Sequence, residues 1–308
     1  MLEAKSLTKK FKDRTVLEDV SFTVGEGEVF GYLGPNGAGK TTTMRLMLGL
    51  LKPTSGDALL WGERATGHPE VRKRVGVLLE SDGLYPRLSA YDNLDYFGRL
   101  YGVQGRESRI GRLLDFAGLS QRRDDRVGTF SRGMKRKLGL VRALLHSPDI
   151  LLLDEPSAGL DPEAQKMVRD LIVTLSSEAQ ITVFLNSHDL DEVQRICGRV
   201  AILQKGRIRA CDTLKALQSS SGAGIVEFVL SDASRAEAAA GLLRSHEGVA
   251  GVTREDGSLF VTLRCQQSTA ALVAVLEENG IVLDEFRRSR KSLEDVYLDI
   301  VKQEEGDV

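Results

Sequence analysis

A chain of 308 residues is too long for one small domain and comfortable for two, and 42% apolar residues are enough to fill their cores. Its 42 Lys and Arg against 44 Asp and Glu leave a formal charge of −2, which excludes a protein held to nucleic acid by global positive charge. Cys197, Cys211 and Cys265 are far apart and odd in number, which argues against both a disulfide framework and a metal site, and no apolar run approaches the roughly 18 residues of a membrane span. A soluble chain of the reducing cytoplasm, without a signal peptide, is the expectation.

Met1 to Lys12 reads as a strand ending in a charged turn, with Phe11 set among Lys9, Lys10 and Lys12. Such an aromatic either stacks on a purine or packs inward as a strand residue. Val16 to Val24 alternates apolar and polar, and Gly25 to Glu28 turns into the apolar run Val29 to Leu33, a buried strand. Gly34-Pro35-Asn36-Gly37-Ala38-Gly39-Lys40-Thr41-Thr42 then satisfies G-x-x-x-x-G-K-[ST] between that strand and a helix reaching Leu50. Glycines let the backbone aim successive N–H groups at phosphate oxygens, Lys40 supplies a point charge and Thr41 a hydroxyl for magnesium. The candidate nucleotide contacts are Gly34, Asn36, Gly37, Gly39, Lys40, Thr41 and Thr42, and the helix N-terminus adds to the anion site. The stretch is a nucleoside triphosphate cradle.

Two more strands follow, Ala58 to Trp61 and Arg74 to Glu80, with Glu80 where the second leaves the core. From Ser89 to Ala117 the period becomes helical, with Leu94, Phe97, Leu100 and Tyr101 on one face and then Ile110, Leu113, Leu114 and Ala117. Phe130-Ser131-Arg132-Gly133-Met134 opens another helix, for which Ser131 is a good N-cap and Lys135, Arg136, Lys137 and Arg142 are the solvated face. Asp149 to Pro156 is a buried strand that ends in Asp154 and Glu155; its C-terminal end is where parallel sheets bind ligands. Asp154 is suited to hold magnesium with Thr41, and Glu155 to orient or deprotonate an attacking water. Past a helix from Glu163 to Ser176, the strand Ile181 to Leu185 runs into Asn186-Ser187-His188-Asp189, and Val200 to Ala210 forms a hairpin. His188 is placed to touch a terminal phosphate, or to act as a cap.

The order of these signals, from Phe11 through the phosphate loop, Glu80, Phe130 to Met134, Leu151-Leu152-Leu153-Asp154-Glu155-Pro156, Gly159-Leu160-Asp161 and His188, resembles an ABC-type ATPase over roughly residues 1–217. The resemblance implies an α/β P-loop fold with a β-rich N-terminal part and a helical insert near residues 86–147. It implies adenine stacking on Phe11, Glu155 as the catalytic carboxylate, and His188 as the switch histidine. Ser131 and Gly133 are implied to contact the γ-phosphate bound by a second copy. Two positions depart from the family pattern: Glu80 stands for the strand-exit glutamine that helps bind the metal, and the signature carries Arg132 and Met134. These variants resemble the exporter branch, so ATP and Mg2+, a second ATPase copy, a multi-span membrane permease, no nucleic acid, and a peripheral place on the cytoplasmic side of the membrane are expected. A soluble ABC-type ATPase acting on ribosomes or DNA is the alternative.

Residues 218–224 read as a flexible linker. Beyond it the order is strand (225–230), helix (233–245), strand (249–254), a turn at Asp256-Gly257, strand (259–264), helix (268–279), strand (281–287) and a last helix. That βαββαβ plan is ferredoxin-like, a small α+β accessory domain over residues 225–308. Arg287 to Lys291 is read as a solvated turn.

Overall fold

The computed structural model describes residues 2–220, 225–255, 258–264, 269–289 and 292–303. Two compact units divide the chain, Met1–Thr213 and Leu214–Val308.

The first unit holds β1 (Leu2–Phe11), β2 (Arg14–Val24), β3 (Val29–Leu33), α1 (Lys40–Met47), β4 (Ser55–Leu60), β5 (Glu63–Arg64), α2 (Pro69–Arg72) and β6 (Val75–Leu78). It continues through α3 (Ala90–Leu100), α4 (Arg106–Phe116), α5 (Arg132–Leu144), β7 (Ile150–Asp154), α6 (Pro162–Ser177), β8 (Thr182–Ser187), α7 (Leu190–Ile196), β9 (Arg199–Gln204) and β10 (Arg207–Thr213). An antiparallel sheet has the order β2-β1-β4-β5, and a six-stranded sheet the order β10-β9-β3-β8-β7-β6. Strands β3, β7 and β8 are buried at every position, as strands covered on both faces must be, whereas β2 alternates. Parallel pairing sets Asp154 opposite Asn186, and Leu33 opposite Ser187, so the C-terminal ends of these strands lie side by side.

Between the sheets, Phe22 of β2 packs on Phe30, Tyr32 and Phe184 with ring centroids 5.4 to 5.7 Å apart. The Tyr32 hydroxyl reaches Thr43 Oγ1 at 3.2 Å, which anchors the phosphate-loop helix to the strand before it. The helical stretch from Ser89 to Ala117 is broken in two, because Gly102 and Gly105 take φ of 69° and 59°. Leu100 and Tyr101, expected on the apolar face, remain 67% and 47% exposed.

In the second unit, α8 (Leu214–Ser220) precedes β11 (Ile225–Leu230), α9 (Ala236–Ser245), β12 (Val249–Glu255), β13 (Ser258–Leu263), α10 (Thr269–Glu278), β14 (Leu283–Ser289) and α11 (Leu293–Gln303). All pairs in the sheet β12-β13-β11-β14 are antiparallel, the ferredoxin-like order. Val226, Phe228, Leu243, Leu259, Val261 and Leu276 are in its core. Helix α8 takes residues to Ser220, including the first of those read as linker; 221–224, the Asp256-Gly257 turn, Arg290 and Lys291 lie outside the described residues, and Arg287 belongs to β14.

Phe184→Ala should destabilise the first unit by about 3–5 kcal/mol, because three aromatic neighbours would border the cavity. Denaturant unfolding followed by the fluorescence of Trp61, the single tryptophan, measures it.

Candidate functional site

The phosphate loop turns because two of its glycines adopt positive φ, 81° at Gly37 and 115° at Gly39. Gly34 does not line the cleft and meets a packing need as well. A Cβ there would stand 2.3 Å from the Leu203 carbonyl oxygen of β9, so its lack of a side chain lets loop and strand approach. Asn36, Gly37, Gly39, Lys40, Thr41 and Thr42 line one cleft of ≈ 380 Å³, with Glu80, Asp154, Glu155 and His188 on the facing walls.

Lys40 is buried, and its Nζ donates to Gly34 O at 2.7 Å and stands 3.8 Å from Glu155 Oε1. Burial pulls its pKa down, while the carboxylates of Glu155 and Asp154 hold it up. Asp154 is 4% exposed, accepts from the Asn186 amide, and accepts from Thr41 Oγ1 at 3.4 Å. Burial pushes its pKa up; the Asn186 and Thr41 hydrogen bonds oppose this, and the charges of Glu155 and Glu80 add to it. The adjoining Glu155 has φ of 49°, in the left-handed region. Its N–H donates to Asn186 O at 2.8 Å, and its Oε2 accepts from His188 Nδ1 at 2.8 Å. The result is a row of oxygen donors, Thr41 Oγ1 and Asp154, beside a second carboxylate held by an imidazole.

Other expected site residues lie away from this cleft. Ser131 is exposed and caps α5, accepting from Met134 N at 3.2 Å; Gly133 is next to it, and neither lines the cleft. Phe11 is 44% exposed, carries Lys9 Nζ 4.8 Å from its ring centre, and is absent from the cleft wall, where Val16 stands instead. Arg132 does line the cleft, its guanidinium resting against Gly159 where a Cβ would stand 2.2 Å from Nη1.

Two of the four cations read as a solvated face turn instead to carbonyls of the fold, Arg136 buried and Arg142 half-buried. Arg136 is 5% exposed and donates to carbonyls at the ends of β6 and β7, and Arg142 donates to Val77 O at 3.1 Å while covering the Phe97 ring. Helical period marks Arg136 as polar but carries no information about carbonyls that arrive from distant strands. Asn186 also lines the cleft, and its Oδ1 is buried without a partner. Glu192, on the first turns of α7, is 2% exposed; it accepts from Ser157 Oγ and, at 2.9 Å, from Ser187 Oγ, so it joins the loops that follow Glu155 and precede His188. The apolar run before Asn186 and the helical spacing of Glu192 from Asp189 were the available signals for these two residues. Among the described residues there is no cluster of three or more His, Cys, Asp or Glu fit for a metal.

Residues 17–158 match the ABC transporter family. The chain is 35% identical over 303 residues to the bacitracin transport ATP-binding protein BcrA of Bacillus licheniformis, across 98% of this chain and 97% of that one. It is 33% identical over 316 residues to the Nod factor export ATP-binding protein I of Ralstonia nicotianae, across 100% and 95%. A dimeric structure of a post-hydrolysis state of an ATP-binding cassette, bound to ADP and Pi, superposes with a TM-score of 0.63 at 25% identity, over 70% of this chain and 99% of that one. The phosphate loop, the acid pair and the full-length relatives agree, and the chain belongs to the ABC transporter family as one of its ATP-binding, ATP-hydrolysing subunits.

Proposed function

We propose that this ATPase drives an exporter: two copies close head to tail around two ATP molecules with Mg2+, and a separate multi-span permease carries the cargo. The observation that carries this reading is the division of the site. Lys40, Thr41, Asp154, Glu155 and His188 meet at one cleft, whereas the exposed Ser131 and the half-buried Gly133 sit at a helix start and do not line it. A helix N-terminus with a free face is suited to an anion, and a second copy would present its nucleotide there. The export and transport roles in the names of the relatives, and the dimeric cassette, support the same reading. No helix among the described residues is long and apolar enough to cross a membrane, so in this reading the chain is peripheral, on the cytoplasmic side, through its permease.

The loop N–H groups and Lys40 bind the phosphates, while Phe11, by resemblance, stacks the base. The donor set fits magnesium: a hydroxyl and a carboxylate 3.4 Å apart are hard oxygen ligands, and the crowding of Asp154 by Glu155 and Glu80 favours a cation there. When bound, the ion supplies charge neutralisation on the phosphate oxygens. Glu155 orients the attacking water and accepts its proton, and His188 holds Oε2 so that the carboxylate keeps one direction. Glu80, in place of an amide, adds negative charge beside this site.

Glu155→Gln should lower kcat by roughly 10²–10⁴ and trap an ATP-bound dimer, read by size-exclusion chromatography with ATP; wild-type turnover in that variant removes Glu155 from its role. Lys40→Ala should weaken ATP binding roughly 10–100-fold in an equilibrium titration. Because the folded pKa of Asp154 lies above its unfolded value, its ionised form is a cost that is present above the folded pKa and absent below the unfolded one. Asp154→Asn should therefore stabilise the nucleotide-free protein at neutral pH by roughly 0.5–2 kcal/mol, a gain that fades as pH falls toward about 4, while Mg-dependent hydrolysis is lost. Thermal melts across pH, paired with phosphate-release assays, test both halves. Affinity purification from detergent-solubilised membranes should bring down a stoichiometric multi-span protein; ribosomes or soluble factors alone would leave the ATPase and remove the exporter.

A further inference from the structure

We infer that Arg136 is a positioning residue for hydrolysis, fixing the backbone that aims Glu155 and tying it through Asp82 to the segment that leaves β6. The inference rests on the reading of Glu155 as the carboxylate that acts on water. Glu155 holds φ of 49°, a conformation that residues with side chains rarely adopt and that persists only when its surroundings determine it. On the amide side, its N–H is held by Asn186 O. On the carbonyl side, Glu155 O accepts from Ala158 N at 3.2 Å, and the remaining support comes from one side chain. Arg136 Nη2 donates to Asp154 O at 2.5 Å and to Glu155 O at 2.8 Å, and Nε donates to Pro156 O at 2.8 Å. Three successive carbonyls around the left-handed residue are thereby fixed by a guanidinium that belongs to α5.

The opposite edge of the same planar group faces β6. Nη1 donates to Leu79 O at 2.6 Å and to Asp82 Oδ1 at 3.0 Å, with Glu80 O at 3.4 Å. The geometry suits arginine and no other side chain, since a rigid fork with five donors can reach two strand ends at once. A lysine offers a point charge, and a glutamine two donors. Burying a guanidinium against one carboxylate is a poor route to stability, and removing it would leave several carbonyls without partners. What the arrangement does achieve is registry: Glu80, which lines the cleft, and Glu155 move with one rigid group between them.

The test uses the full chain carrying Arg136→Lys or Arg136→Gln, with ATP affinity read by displacement of a fluorescent ATP analogue and turnover by phosphate release. Both variants should bind ATP within about threefold of wild type, keep KM, and lose kcat by about tenfold or more. Asp82→Asn, which removes the charge from one contact on the edge facing β6, should lower kcat by a smaller factor. In a Glu155→Gln background, Arg136→Lys should leave the residual rate unchanged, because its effect passes through the missing carboxylate. The proposal is overturned if the folded arginine variants turn over within about twofold of wild type, if a rise in KM accounts for the whole loss, or if the loss is fully additive with Glu155→Gln. Should both arginine variants fail to fold, Asp82→Asn decides, and an unchanged kcat there overturns the proposal. Wild-type turnover by Glu155→Gln sinks the role of Glu155 instead, so the two failures are distinguishable.

Discussion

The site depends on one buried carboxylate, Asp154, held between the Asn186 amide and the Thr41 hydroxyl. These partners come from β7, β8 and the first turn of α1, and the sheet order makes their meeting possible, since β8 lies between β3 and β7. Strand register then sets Asp154 opposite Asn186, while the loop after β3 delivers Lys40 and Thr41 to the same end. A carboxylate at this depth, beside Glu155 and Glu80, is electrostatically unfavourable by itself, and the proposed function relieves it with a bound cation. Lys40 is the opposing charge on the loop side, and Arg136 is the buried cation behind the acid pair. Lys40 Nζ is shared between a loop carbonyl and Glu155, so the loop and the acid pair are already registered to each other.

Most of this was legible in the sequence, because the signals were local. Apolar runs ending in polar clusters located β3, β7 and β8, the glycine spacing located the loop, and Ser131 marked the start of α5 through its capping chemistry. The ferredoxin-like plan of the second unit was legible for the same reason: its strands and helices follow one another with short turns.

What could not be read was long-range and polar. Arg136 and Arg142 occupy positions of α5 where a helical period allows solvent, yet their acceptors come from 18 to 65 residues away in sequence. Gly34 matched the loop pattern, but its lack of a Cβ is required by Leu203, near the far end of the same unit. Glu192 is the same kind of case. Its buried carboxylate, with a pKa pushed up chiefly by burial, acquires its partners only when the loop after β7 and the end of β8 come together. Pairings of this kind depend on topology, and no residue window contains them.

Helix α5 carries two different duties on one rigid rod. Its start is exposed at Ser131 and Arg132, with Ser131 occupied in capping, and five residues after Ser131 Arg136 enters the chain's own cleft from behind the acid pair. At 1.5 Å per residue these points are about 7.5 Å apart, a separation that an α-helix holds nearly fixed. In the proposed head-to-tail dimer, a nucleotide bound by the partner copy would meet the first turn, and the guanidinium would sit on the carbonyls that orient Glu155. Displacement of the helix by such a contact would therefore reach the carboxylate through hydrogen bonds of 2.5 to 2.8 Å, with no loop in between to absorb it. Arg132, resting on Gly159 at the cleft wall, occupies the step between the two points. In that proposed dimer a single helix would relate the state of one cleft to the geometry of the other.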